Sequence, residues 1–254
     1  MLSEFEILIA GLAAAAAGLI NALAGGGTLV SFPVLIALGV PDIAANITNT
    51  VALCPGYLGG AITQREDLRG QGRRLWILLP AGIIGGIAGS ILLLLGNERV
   101  FHVLVPFLIL LAALLLAVQD RVRDWVRERS HSAESGNVGG TAILPVGLAA
   151  IYGGYFGAGI SVIVLAVLGL FLDDTLTRLN ALKQCISLSI NVSAAIFFLF
   201  SGMVIWPLAV VMAVGALVGG AVGGRIAGRI DPVLLRWTVV ILGSAVGILL
   251  LVSL

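Results

Sequence analysis

Long apolar runs separated by short polar clusters make up almost the whole chain. The clearest runs cover residues 76–96, 100–119, 187–206, 207–224 and 233–254, close to the ~20 residues a helix needs to cross a bilayer. Two glycine-rich stretches interrupt this pattern, Ala24-Gly25-Gly26-Gly27-Thr28 and Tyr152-Gly153-Gly154-Tyr155-Phe156-Gly157-Ala158-Gly159, about 132 residues apart. Each precedes an apolar segment of eleven to thirteen residues, 28–38 and 160–172, which as a helix rises less than about 20 Å at 1.5 Å per residue. A helix broken inside lipid frees backbone groups that must be buried in protein or face a polar cavity, so the breaks mark a place where something binds. The pattern predicts ten membrane-inserted helices, the first pair of each half being a hairpin that dips in and returns.

The two halves repeat one another. Asn46-Ile47-Thr48-Asn49 through Gly59-Gly60-Ala61-Ile62 aligns with Asn180-Ala181-Leu182-Lys183 through Ser193-Ala194-Ala195-Ile196 at an offset of 134, and Gly82, Gly86 and Ser90 match Gly215, Gly219 and Gly223 at 133. These glycine series have the spacing of faces through which helices pack closely. The polar connections give the direction of each half. Arg65, Arg69, Arg73 and Arg74 fill one connection, Arg121, Arg123, Arg127 and Arg129 a second, Arg225, Arg229 and Arg236 a third, and Arg178 a fourth, together 12 of the 14 basic residues. The positive-inside rule places all four in the cytoplasm. The connections around Pro41-Asp42, Asn97-Glu98-Arg99 and Ser201-Gly202-Met203 carry one Arg between them and fall outside, as does the N-terminus with Glu4 and Glu6. Ten crossings then put the C-terminus outside too. Because the Asn-bearing helix leads into an Arg-rich connection in the first half and an uncharged one in the second, the repeats are inverted.

The expected architecture is therefore an all-α polytopic membrane protein of two inverted-topology repeats, each a Gly-broken helical hairpin followed by three helices. Repeat one covers residues 5–119, a cytoplasmic linker 120–139 and repeat two 140–254, within one integral membrane domain of residues 1–254. Composition agrees: 59% of residues are hydrophobic and 11% charged, where a soluble domain carries about 25% charged. A net charge of +1 gives no electrostatic reason to expect a nucleic-acid partner. The acidic start lacks the positive region of a cleaved signal peptide. Cys54 and Cys185, both in apolar segments, read as small core residues rather than a disulfide or a metal site.

Particular residues carry a resemblance. The Gly-Gly-Gly-Thr break followed by Phe32-Pro33, Leu38-Gly39-Val40-Pro41 and Ala45-Asn46-Ile47-Thr48-Asn49-Thr50, with Tyr155-Phe156-Gly157-Ala158-Gly159 and Arg178-Leu179-Asn180-Ala181-Leu182-Lys183 in the second half, resembles the sulfite exporter TauE/SafE family of bacterial membrane transporters. The resemblance covers nearly the whole chain. It implies a multi-pass inner-membrane permease for small sulfur-containing anions such as sulfite or organosulfonates.

The residues themselves suit an anion. Gly25, Gly26 and Gly27 lead into a helix beginning at Thr28, and Gly157 and Gly159 into one beginning near Ile160, so two helix N-termini would present N–H groups and positive dipole ends at the breaks. Ser31, Ser161, Asn46, Asn49, Asn180 and Gln184 add hydrogen-bond donors, and Lys183 is the only lysine of the chain. A lysine within a span is costly and marks function by default. The alternative is that it snorkels to the cytoplasmic interface or pairs with Asp173 or Asp174.

Absences narrow the mechanism. Asp42, Glu98, Asp173, Asp174 and Asp231 all fall at predicted span ends, which leaves a proton relay no buried carboxylate. Export of an anion needs none, because an inside-negative potential drives it outward by ~2.3 kcal/mol per charge per 100 mV. Export by alternating access is thus the expected activity, with an anion channel or proton-coupled uptake as the alternatives. Gly159-Ile160-Ser161 has no His on another span to activate the serine, so no enzyme is expected, and neither a cofactor nor a metal. The expected partners are a small anionic substrate and the lipid bilayer, with monomer and homodimer both compatible.

Overall fold

A computed structural model describes residues 3–23, 25–63, 66–130, 140–226 and 231–254. Ten α-helices lie among them: α1 Glu4–Leu23, α2 Thr28–Ala37, α3 Asp42–Thr63, α4 Gly72–Leu95, α5 Glu98–Ser130, α6 Ile143–Tyr155, α7 Ile160–Phe171, α8 Leu176–Leu199, α9 Trp206–Ile226 and α10 Pro232–Val252. A single 3-10 turn, Gly140–Ala142, leads into α6, and no strand occurs among the described residues. Helices α1, α4, α5, α8, α9 and α10 are long and apolar enough to cross a membrane, whereas α2, α6 and α7 are short apolar helices. The all-α polytopic class is as expected, and so are the short second segments of both hairpins.

Two boundaries differ from the sequence reading. The apolar run 187–206 is not one span. Helix α8 begins at Leu176 and stops at Leu199, and Gly202 turns the chain at φ 71° before α9 starts at Trp206. Hydropathy missed this because Phe200, Val204 and Ile205 keep the turn apolar. In the stretch 120–139, residues 120–130 continue α5 as helix. Val126 there is buried against Gly169 of α7, and Asp120 pairs with Arg236 of α10, so tertiary contacts extend the helix beyond its apolar part. Residues 131–139 lie outside the described residues.

Close backbone approach holds the bundle together. The most extensive contacts are α1 on α9 and α4 on α6. A β-carbon on Gly219 would lie 1.9 Å from Ala15 O, and one on Gly89 2.0 Å from Ile151 O. The glycine series is therefore a packing face, as its spacing suggests, and it supplies the van der Waals contact that drives helix association where lipid competes equally for apolar surface. The pairings also exchange in a regular way. Swapping α1–α5 for α6–α10 turns α1·α9 into α6·α4, α3·α9 into α8·α4 and α2·α10 into α7·α5, and leaves α3·α8 and α5·α10 as they are.

Polar ends and an apolar girdle separate cleanly. At one end Asp42 lies 2.6 Å from His102 Nδ1, and the Ile43 N–H donates to Glu98 at 3.1 Å; Pro41, Asn97 and Arg99 join Asp42, Glu98 and His102 around an open cleft of about 700 Å³. At the other end Asp174 pairs with Arg74 of α4 and with Arg178, whose guanidinium also donates to the Arg69 carbonyl at 3.1 Å. Connections that charge assigns to one side thus meet one another. Between them Ile84, Leu144, Val214 and Leu249 point outward as surface for lipid, and Trp76, Trp206 and Trp237 sit exposed near helix starts, where indole suits the headgroup level.

Candidate functional site

Both breaks fold against one stretch of α5. A β-carbon on Gly26 would lie 2.6 Å from Leu116, and one on Gly159 3.1 Å from Leu115 and 3.6 Å from Ala112. Across the gap, Ser161 Oγ is 3.9 Å from the β-carbon position of Gly25. Phe32 of α2 meets Phe156 of the second break edge-on, with ring centroids 5.2 Å apart. The chain reverses through left-handed backbone at Gly25 (φ 81°), Gly26 (89°), Gly157 (80°) and Gly159 (76°), which residues with a β-carbon adopt only at a cost. The sequence pattern therefore places the breaks, and α5 brings them together.

Accounting for the N–H groups shows what the breaks can offer. In the first, Gly25 N–H bonds to Ile20 O at 2.9 Å and Gly27 N–H to Asn21 Oδ1 at 2.7 Å, while Leu29, Val30 and Ser31 fold back on the Gly26 and Gly27 carbonyls. That leaves Gly26 and Thr28 N–H without an acceptor among the described residues. In the second, Gly157 N–H bonds to Tyr152 O and Ile160 N–H to Gly157 O, each at 3.2 Å, and Ala158, Gly159 and Ser161 N–H have no acceptor among the described residues. Gly27 is less open than its sequence suggested, because a β-carbon there would lie 2.2 Å from Ala17 O. Its role is to pack α2 under α1. Ser31 is fully buried with its hydroxyl donating to Gly27 O at 3.3 Å, so it serves the turn.

The asparagines divide between two places. Asn46 of α3 is 1% exposed and donates from Nδ2 to Tyr155 O at 2.8 Å, which ties α3 to the end of α6. Asn49, one turn further along, is also 1% exposed, and its Oδ1 has no partner. Asn180, Lys183 and Gln184 lie instead in the first three turns of α8. The Lys183 ammonium donates to Asn180 Oδ1 at 3.0 Å, and no described carboxylate comes within 4.0 Å of it. Asp174, one of its two expected partners, is engaged by Arg74 and Arg178. Burial by itself raises the Asp174 carboxyl, but hydrogen bonds from Arg178, the Thr175 N–H and Arg74 outweigh it and hold the group below the usual carboxylate range.

Comparison with known proteins adds the lineage. A family model described as Sulfite exporter TauE/SafE matches residues 10–250. The chain belongs to the TauE/SafE family. It is 26% identical over 201 residues to a probable membrane transporter protein of Haemophilus influenzae, covering 79% of this chain and 77% of that protein. Similarity to the probable membrane transporter protein YfcA of Escherichia coli K12 is 24% over 201 residues, 78% of this chain and 72% of the relative. A probable membrane transporter protein ORF9 of Sinorhizobium is 27% identical over 207 residues, 80% of this chain and 76% of the relative. No solved structure matches the chain.

In this TauE/SafE chain, three residues outside the expected site set make contacts at the breaks. Asn21 satisfies Gly27, Tyr152 donates its hydroxyl to Ala158 O at 2.6 Å, and Asn191 places its Oδ1 3.9 Å from the β-carbon position of Gly157. Each is a polar residue within an apolar helix, which is the signal that marks them. His102 lies against Asp42, which is 60 residues away and invisible to local spacing.

Proposed function

We propose that this TauE/SafE member is a membrane transporter that carries a small sulfur-containing anion, such as sulfite or an organosulfonate, outward across the bacterial inner membrane. The carrying observation is that the two breaks, one from each half, lie together on α5 with five N–H groups lacking acceptors among the described residues and the Ser161 hydroxyl beside Gly25. Five amides and a hydroxyl can solvate oxyanion oxygens without fixing a countercharge in the membrane, so the anion can leave as readily as it arrives. The family match and the relatives' names support transport rather than catalysis.

The exchange of helix pairings between halves supports alternating access. If α1–α5 and α6–α10 are inverted copies, two arrangements of the bundle have comparable energy, and each opens the shared site to one side. Lys183 offers a cation in the third turn of α8, toward the end whose arginines assign it to the cytoplasm. Anions gather there, and the membrane potential drives them outward. The test is flux in proteoliposomes with a panel of sulfite, a sulfonate, thiosulfate and sulfate. Saturable flux of one of them with counterflow establishes a carrier, flux without saturation or counterflow establishes a channel, and no flux in either direction refutes the substrate class.

A further inference from the structure

We infer that the second break also binds a monovalent cation of sodium's size, at the point where the C-terminal end of α6 meets α3 and α8. Its role in transport rests on the breaks being the transport site, but its binding does not.

Two amide orientations carry the inference. Asn46 Nδ2 donates to the Tyr155 carbonyl, and Asn191 Nδ2 donates to the Ser187 carbonyl at 2.8 Å. A carbonyl can only accept, so neither amide can be turned over, and both Oδ1 atoms are fixed as acceptors facing elsewhere. Asn46 is 1% and Asn191 5% exposed, and the buried Asn46 Oδ1 accepts no hydrogen bond from any described residue. A buried acceptor left this way costs stability unless something else meets it.

The backbone adds a third oxygen near Asn191. Phe156 and Gly157 both direct their N–H groups to Tyr152 O, which leaves the Gly153 carbonyl without its helical donor. Gly153 O lies 2.9 Å and Asn191 Oδ1 3.9 Å from the position a β-carbon on Gly157 would take, so the absence of a side chain there keeps both oxygens clear of carbon. Asn46 Nδ2 holds the neighbouring Tyr155 carbonyl. The carbonyl end of α6 carries the negative pole of that helix. A place lined by oxygens and a negative helix pole suits a cation, in the way interrupted helices of transporters hold coupling ions. With no carboxylate in the set, and no group of three His, Cys, Asp or Glu among the described residues to hold a multivalent metal, a single charge is the fit.

The two ends of the second break then do different work. Helix α7 offers N–H groups to an anion, and α6 offers carbonyls to a cation a few residues away. Each ion offsets the other's charge, and linkage requires each to raise the other's affinity by one factor. A cation retained through the cycle leaves the potential to drive export, whereas one that travels with the anion makes the step electroneutral.

The experiment measures 22Na+ binding to the purified full chain without any sulfur anion, at constant ionic strength with choline as replacement. Saturable binding near one ion per chain is expected, together with a thermal midpoint that rises with sodium and not with choline. Asn191→Ala should weaken the binding at least tenfold, and Asn191→Asp, which adds a charge and keeps the shape, should tighten it. Absence of saturable binding in the wild-type chain, or unchanged binding in Asn191→Ala together with Asn191→Asp, overturns the site. Failure of the anion panel alone leaves these readouts intact and counts against the transport reading.

Discussion

Gly154 of α6 rests on Gly86 of α4 so closely that a β-carbon on Gly154 would lie 2.0 Å from the Gly86 carbonyl oxygen. Two helices in backbone contact cannot accept even a methyl group between them without moving apart. The match between Gly86 and Gly219 in the two halves, and the contact of Gly219 with Ala15, place the same device on the α1·α9 side.

Gly154→Ala and Gly219→Ala should each destabilise the protein by about 1–3 kcal/mol, the usual cost of an extra methylene in a packed interior. Gly147 is the control on the same helix as Gly154. A β-carbon there meets nothing within 4 Å, so Gly147→Ala should be neutral or stabilise by up to about 1 kcal/mol through helix propensity. Thermal unfolding in detergent checks both signs.

Asp174 gives a pH prediction with a definite direction. Its folded pKa is depressed, so its ion pairs with Arg74 and Arg178 contribute fully above the ordinary carboxylate value of about 4 and are lost as pH falls through the lower folded value. The thermal midpoint from this network should be flat between pH 8 and 5 and fall below about 4. Asp174→Asn should lower the midpoint at neutral pH and flatten that acid limb. An acid limb identical to wild type would assign the loss to other carboxylates.

Lys183 stands apart from the breaks, and this decides how its loss should look. Lys183→Gln removes a cation whose only described polar partner is Asn180, so stability should change little. Capture of the anion from the α8 N-terminal side should weaken about tenfold, roughly 1.4 kcal/mol, while capture from the other side changes less. Lys183→Arg should retain most of the affinity. Sided liposome assays of KM read the difference.

How much of this was legible in sequence depended on whether the cause was local. Helix existence, the short arms α2 and α7 and the packing role of the glycines follow from hydropathy, length and spacing, all of which act within a few turns. The connection at Ser201-Gly202-Met203 was legible, but the end of α8 was not, because the residues around Gly202 are as apolar as a span. Within the candidate site, Gly25 and Ser161 were visible as parts of two breaks, but their meeting depends on α5, which neither break touches in sequence. The contacts of Ser31 and Gly27 within their own turn and against α1 were not legible, because they depend on how the break folds. Lys183 looked like the centre of the site and lies among Asn180 and Gln184, because helical spacing fixes its face on α8 but not what that face meets.

Gly25 and Ser161 offer a direct test of motion between the halves. Ser161 Oγ, whose place the sulfur of Ser161→Cys would take, lies 3.9 Å from the β-carbon position of Gly25, near enough for a small rotation of the side chains to join Gly25→Cys and Ser161→Cys in a disulfide. Gly25→Cys costs about 1–2 kcal/mol for a β-carbon in left-handed backbone, which a polytopic chain can bear, and it meets no steric clash. The pair should be built in a chain with Cys54→Ala and Cys185→Ala, since both native thiols are free. Mild oxidation should then join α7 to the first break, observed as a cross-linked peptide by mass spectrometry. If the two halves move against each other at this site, the bridge holds one arrangement, transport stops, and reductant restores it. Rapid flux through the oxidised, fully cross-linked protein would show that the breaks stay together throughout the cycle, and alternating access about this pair would have to be abandoned.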